Sequence, residues 1–246
     1  MGDGVRRLTL EDQLPACRIV INRQLYSLAD LCKNADVVDI GCGFGANRKI
    51  VEASGGRWTG VEPFEGGAHT VTASADDLPF QDGSFDVVIM DAVLEHLSEV
   101  DRSFSEVTRI LRPGGCFIGY VAFMECFHEI SYNHLSFKAL EHLSKKNGLA
   151  LEAISGGGRF GIDYHTAVLL YPLPFGWGRF LIAKGIRSLI RGKSICAYIG
   201  QRVIKRKRHG PAVNWAKSYY DLECLRQSNG FSYIIRKPRH PSYAVQ

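Results

Sequence analysis

The 246-residue sequence holds no apolar run long enough to cross a bilayer and no Cys-x-x-Cys pair. The first absence excludes an integral membrane helix, which needs about 20 such residues. Seven cysteines (17, 32, 42, 116, 126, 196 and 224), odd in number and scattered, speak against a disulfide framework. They are expected to be reduced core thiols, Cys42 included. The opening Met1-Gly2-Asp3-Gly4-Val5-Arg6-Arg7 lacks the apolar core of a signal peptide, so cytoplasmic residence is expected. Acid is missing from one long stretch: from 164 to 220 there are eleven Lys or Arg and no Asp or Glu. With 30 basic and 25 acidic residues in all, the remainder of the chain carries a net charge of −6. The protein is electrically two-faced.

What is present is most telling at residues 37–45, Val-Val-Asp-Ile-Gly-Cys-Gly-Phe-Gly. A buried strand here runs into glycines at 41, 43 and 45, where backbone can approach a ligand that a Cβ would collide with. Such a turn also satisfies the looser dinucleotide pattern Gly41-x-Gly43-x-x-Ala46, so its context decides. Asp39, inside the strand end, suits a ligand's ammonium group and would repel a pyrophosphate. Glu62 closes the next apolar run, twenty-one residues after Gly41, where a carboxylate can accept hydrogen bonds from two ribose hydroxyls. Two further blocks follow, Ala75-Asp76-Asp77-Leu78-Pro79-Phe80-Gln81-Asp82-Gly83-Ser84-Phe85-Asp86 and Leu111-Arg112-Pro113-Gly114-Gly115, each leading into a strand.

These four blocks resemble the class I S-adenosylmethionine-dependent methyltransferases, in particular the type 11 group, over about residues 35–155 and faintly again at 231–238. The resemblance implies a Rossmann-like, doubly wound α/β fold with a seven-stranded, mostly parallel sheet. Its last strand would be antiparallel, with a basic helical insertion before it. It implies S-adenosyl-L-methionine as cofactor, with Asp39, Gly41, Gly43 and Gly45 holding the methionine part and Glu62 the ribose. Backbone around Ser74 and Ala75 would hold the adenine edge, and Met90 and Asp91 would line the floor near sulfur. Most family members carry an aspartate where Ser74 stands, so the adenine contact falls to the Ser74 hydroxyl or to Asp76.

Periodicity divides one domain, 1–246, into an N-terminal helical cap (1–34), a cofactor-binding core (35–155), a basic insertion (156–227) and a final strand (228–238). Apolar residues at helical intervals predict a helix over 14–32 that roofs the cofactor site. Strands are expected at 36–40, 57–62, 70–74, 85–90, 116–122, 149–154 and 231–236, with helices at 45–54, 92–97, 100–111 and 136–147. Seven residues between Glu62 and Thr70 are too few for the helix that usually links the second and third strands. Within the insertion, 177–191 predicts a basic amphipathic helix, with Lys184, Arg187 and Arg191 on one side and Ile182, Ile186 and Leu189 opposite. Lys205-Arg206-Lys207-Arg208-His209-Gly210-Pro211 is then expected to form a basic turn.

Methyl transfer is an in-line displacement that asks mainly for alignment, yet a hydroxyl acceptor must lose a proton. Glu95, His96 and His134 are the catalytic candidates, with His128 and His165 behind them. Similar Glu-x-x-Glu-His plus distant His sets hold a metal in small-RNA 2′-O-methyltransferases and ubiquinone-pathway O-methyltransferases. Here Ala92 takes the first glutamate's place, and no metal is expected. The expected function is methyl transfer to oxygen of a small-molecule or lipid-linked acceptor. Two alternatives stay open: a noncatalytic S-adenosylmethionine-binding scaffold or regulator, and a nicotinamide-dependent dehydrogenase. The basic stretch 175–210 has three readings: a solvated face, peripheral contact with an anionic membrane, or nucleic-acid contact.

Overall fold

The computed structural model describes residues 9–10, 13–21, 23–124, 130–156 and 176–239. Among the described residues eight strands form one sheet: β1 (Arg18–Val20), β2 (Asp36–Ile40), β3 (Arg57–Glu62), β4 (Val71–Thr72), β5 (Phe85–Asp91), β6 (Leu111–Ala122), β7 (Ala150–Ser155) and β8 (Gly230–Arg236). Their order is β1-β7-β8-β6-β5-β2-β3-β4. All neighbours are parallel except β8, which is antiparallel to both β6 and β7. The helices are α1 (Leu28–Leu31), α2 (Arg48–Ala53), α3 (Val100–Ile110), α4 (Phe137–Lys146), α5 (Gly176–Val203) and α6 (His209–Arg226), with a 3-10 turn at Leu94–His96.

Buried side chains alternate along the central strands and fill both faces, as a covered parallel sheet requires. Val38, Ile40, Val88, Met90, Phe117 and Tyr233 meet Phe104, Val107, Ile110 and Leu140 of α3 and α4. Val37, Val87, Ile89, Ile118 and Ile234 meet Val51 of α2 and Cys32 on the other face. Phe117 packs edge-on against Phe104 and Tyr233, with centroids 5.5 and 5.0 Å away. Burying a side chain of this size stabilises the fold by about 1.5–3 kcal/mol. The Tyr233 hydroxyl donates to the Met90 carbonyl at 3.1 Å, so the buried phenol is satisfied.

The N-terminal segment differs from the expected helix. Residues 14–32 contain the strand β1 and the single turn α1, not a helical roof, and the sheet therefore has eight strands and not seven. Cys17 and Ile19 turn to one face of the sheet and Val20 to the other, a period of two. Arg18, Ile19 and Val20 pair with Ala153, Ile154 and Ser155. The open edge of β7 supplies backbone partners that a helix does not need, and this pairing overrides the helical spacing.

The loop from β3 to β4 contains no helix, as its length predicts. It folds back so that the Ala68 N–H donates to the Gly43 carbonyl at 2.9 Å. At the opposite end of the sheet, Arg112 bridges Asp36 and Asp86 at 2.8 and 2.7 Å and ties β2 to β5.

The insertion leaves the carboxyl end of β7 and re-enters at Gly230 of β8, beside Ala122 at the carboxyl end of β6. Residues 157–175 of it, with His165, and residues 125–129, with His128, lie outside the described residues. α5 and α6 form an antiparallel pair joined by 204–208. The side of α5 turned to α6 is not the Ile182–Ile186–Leu189 side: Ala183 and Ile190 are buried, while Ile182 and Leu189 are exposed and Ile186 is half-buried. Close helix approach explains it, because small residues face each other there. Ser194 Oγ donates to the Ala216 carbonyl at 2.8 Å, and Ala212 and Ala216 are buried opposite.

Candidate functional site

At the carboxyl ends of β2, β3 and β5 the chain leaves the sheet in opposite directions and opens a cavity of about 590 Å³. The crevice lies where ligands of open α/β sheets sit. Gly41, Glu62, Ser74, Ala75, Asp76 and His96 all line it.

The glycine loop follows from backbone demands. Gly41 and Gly43 have φ of +68° and +50°, values that an L side chain adopts at a cost. A Cβ on Gly41 would stand 2.5 Å from Val93 Cγ2, whereas around Gly43 nothing lies within 4 Å of that position. Gly41 is thus required by packing and Gly43 leaves room for something else. The Gly43 N–H donates to Glu62 Oε2 at 2.9 Å, which brings the two halves of the motif together.

Asp39 lies beneath the loop on the α2 face, 2% exposed. Its Oδ2 accepts from Trp58 Nε1 at 3.2 Å and from Asn47 Nδ2 at 3.3 Å. Burial pushes the carboxyl up to about 6; the two hydrogen bonds hold it down, and the charges of Asp91 and Glu62 add to the rise. A carboxylate so placed favours a cation arriving nearby. Asp91 is exposed at the end of β5, and burial, together with the Asp91 charge, pushes the Tyr26 phenol up. Met90 is not on the cavity floor: its side chain is wholly buried in the core, because β5 turns alternate residues to opposite faces.

On the far wall, Ser74 Oγ is hydrogen-bonded to Asp76 Oδ1, so the hydroxyl and the acid expected as alternatives form one pair. The segment after them is pinned from α3. Glu106 Oε2 accepts from the Leu78 N–H at 2.9 Å, and Arg109 donates to the Leu78 and Phe80 carbonyls at 2.9 and 2.5 Å. Arg109 and Glu106 also pair with each other at 2.7 Å.

Of the three catalytic candidates, His96 alone lines the cavity; its Nδ1 is 2.8 Å from the Ile130 carbonyl. Glu95 is fully buried in the 3-10 turn, and its backbone carbonyl accepts from the Tyr132 and Asn133 N–H groups at 2.8 and 3.2 Å. His134 is half-buried off the cavity. Among the described residues no three His, Cys, Asp or Glu are grouped to hold a metal ion. Trp58, Asn47, Val93 and Tyr132 were not singled out by motif. The indole at the second position of β3, directly across from Val37, was the available signal for Trp58.

A second, apolar cavity of about 240 Å³ opens at the carboxyl end of β7 and the start of β8, lined by Phe123, Phe137, Ile154, Leu225 and Phe231.

Residues 38–119 match the family model described as a methyltransferase domain. An uncharacterized methyltransferase of Mycolicibacterium gilvum is 31% identical over 133 residues, covering 47% of this chain and 52% of that protein. A sterol 4-C-methyltransferase of Caenorhabditis elegans is 28% identical over 156 residues, 57% of this chain and 45% of that one. The chain spans about half the length of the curated relatives it matches. A SAM-dependent methyltransferase from Methanosarcina mazei superposes with a TM-score of 0.51 at 15% identity, covering 89% of this chain and 100% of that one. The cyclase SpnF does so with 0.51 at 19%, covering 87% and 80%, and both likenesses are of fold alone. Residues 38–119, a third of the chain, thus match a methyltransferase domain of the type 11 group.

Proposed function

We propose that this protein transfers a methyl group from S-adenosylmethionine to an oxygen of an acceptor with an apolar, lipid-like body. The observation that carries the reading is the joining of the glycine loop to Glu62 around one cavity, with room left at Gly43. The residues fit the cofactor. Asp39 and the loop would take its amino-acid end, Glu62 its ribose hydroxyls, and the Ser74–Asp76 wall its adenine. When bound, S-adenosylmethionine would supply a methyl on a sulfonium, a methyl that transfers without the carbon–sulfur electron pair because sulfur keeps that pair.

The protein's own part is to align and to exclude water. The segment 130–133, tied to the Glu95 and Leu97 carbonyls, forms a lip over the cavity. His96 on the wall would accept the hydroxyl proton as the carbon–oxygen bond forms. The apolar cavity near Phe123 and Phe231 favours a hydrocarbon body for the acceptor.

A second reading, transfer to carbon, is favoured by relatives named sterol 4-C-methyltransferase and ubiquinone/menaquinone biosynthesis C-methyltransferase. Titration calorimetry with S-adenosylhomocysteine tests the cofactor site, and incubation of lipid extracts with methyl-labelled S-adenosylmethionine tests the acceptor. Label in a lipid, cleaved as a methyl ether, supports oxygen; label resistant to ether cleavage supports carbon. Tight cofactor binding with no labelled product in lipid or polar fractions would support a scaffold. Binding of NAD in place of S-adenosylhomocysteine would overturn the assignment.

A further inference from the structure

We propose that the outward face of α5 docks the protein onto an anionic lipid surface. This goes beyond methyl transfer and is read without turnover. α5 is held to the body by a narrow stripe: Ala183, Ile190 and Gln201 are buried, and Ser194 bonds α6. Its largest apolar side chains point the other way. Leu181, Leu189, Ile195, Ile199 and Val203 are each between 50% and 70% exposed. At about 100° per residue they occupy an arc of about 120°. Trp177 and Phe180 are exposed at the amino end of the same helix.

Charge borders this arc. Lys184, Arg191 and Arg202 are exposed and fall within about 20° of each other along one edge. The exposed turn Lys205–Arg208 continues the basic surface past the helix end, and no acid occurs from 164 to 220. An apolar stripe with a cationic flank is what a helix needs to lie in the headgroup boundary, with its hydrocarbon side submerged and its charges against anionic heads.

The same pattern argues against other occupants. A second copy stacked on this face would bring like-charged rows together in a desolvated contact. A nucleic acid would satisfy the bases but leave five large apolar side chains in water. No helix among the described residues is long and apolar enough to cross a membrane, so the contact is along the surface. Because the α5–α6 pair rises from the carboxyl ends of the strands, docking would bring the end of the sheet that carries the glycine loop toward the bilayer.

Vesicle flotation of the whole chain tests this. Flotation is expected with phosphatidylcholine vesicles containing phosphatidylglycerol and not with phosphatidylcholine alone, and to be lost near 1 M salt, where the screening length is about 3 Å. Reversing Lys184, Arg191 and Arg202 to Glu should weaken partitioning by about a hundredfold. Replacing Leu189, Ile195 and Ile199 by Ser should abolish flotation even at low salt. All six positions are exposed and off the cofactor cavity, so unchanged S-adenosylhomocysteine affinity certifies the fold of both variants. The proposal is overturned if the wild-type chain does not float. It is also overturned if the serine variant floats like wild type, or if that variant turns a dimer into a monomer in sedimentation while vesicle binding is unchanged. Strong oligonucleotide binding that survives the serine changes, without flotation, would assign the surface to nucleic acid.

Discussion

The Gly43 N–H donates at 2.9 Å to the carboxylate of Glu62, which lines the cavity. One acid thus fixes the loop before any ligand arrives and presents its remaining acceptor sites to a diol. Replacing Glu62 by Ala should lower S-adenosylhomocysteine affinity by about 10- to 100-fold, the range of a charged hydrogen bond worth about 1.5–3 kcal/mol. Calorimetry reads the loss; an unchanged affinity would remove Glu62 from the site.

Gly41 and Gly43 should separate stability from binding. Gly41→Ala places its methyl against Val93 in a left-handed backbone and should destabilise by about 2–3 kcal/mol. Gly43→Ala meets no neighbour and should cost only about 1 kcal/mol for its positive φ. Yet it should lose most cofactor affinity, because the added methyl enters the cradle. Urea denaturation and calorimetry on both variants check the contrast.

Asp39 should make the free protein less stable at neutral pH than in mild acid. Its folded pKa of about 6 exceeds the usual carboxylate value of about 4, so the folded state binds the proton more tightly. Its contribution is therefore fully present below about pH 4 and is lost as pH rises through 6, a change of about 2–3 kcal/mol. Asp39→Asn should remove this slope and raise Tm at pH 7, while abolishing binding of a ligand that carries an ammonium group. For the wild type, cofactor affinity should fall about tenfold per unit below pH 6. Flat affinity from pH 7 to pH 5 would show that the carboxylate does not face the ligand.

Arg109→Met should loosen the adenine wall from a distance. The guanidinium holds the Leu78 and Phe80 carbonyls and Glu106, so the unfolding free energy should fall by about 2 kcal/mol. Cofactor affinity should fall with it, since Ser74–Asp76 leads directly into the pinned segment. A variant with weakened stability but intact affinity would confine Arg109 to the core.

Much of the site is legible along the chain because its chemistry is local. Glycines at alternate positions after two β-branched residues announce the loop, and an acid closing the next strand announces Glu62. The central strands are equally plain, since burial on both faces demands unbroken apolar runs. What hides is whatever depends on a distant partner. Residues 14–32 carry helical spacing, but the free edge of β7 draws Arg18–Val20 into the sheet. On α5, helical spacing separates a basic from an apolar side but does not say which part meets α6; the contact with Ala212 and Ala216 buries Ala183 and Ile190 and leaves Leu189 exposed. Trp58 reaches Asp39 only because β3 lies beside β2, and Glu95 points away from the cavity because one 3-10 turn rotates it into the core.

The eight residues between β3 and β4 are too short for a helix, and so their backbone comes to rest on the glycine elbow, with Ala68 tied to Gly43. The elbow is consequently preorganised by linker length and needs no ordering when a cofactor enters. Lengthening that connection by a helical turn would convert a standing seat into one assembled anew at every binding event.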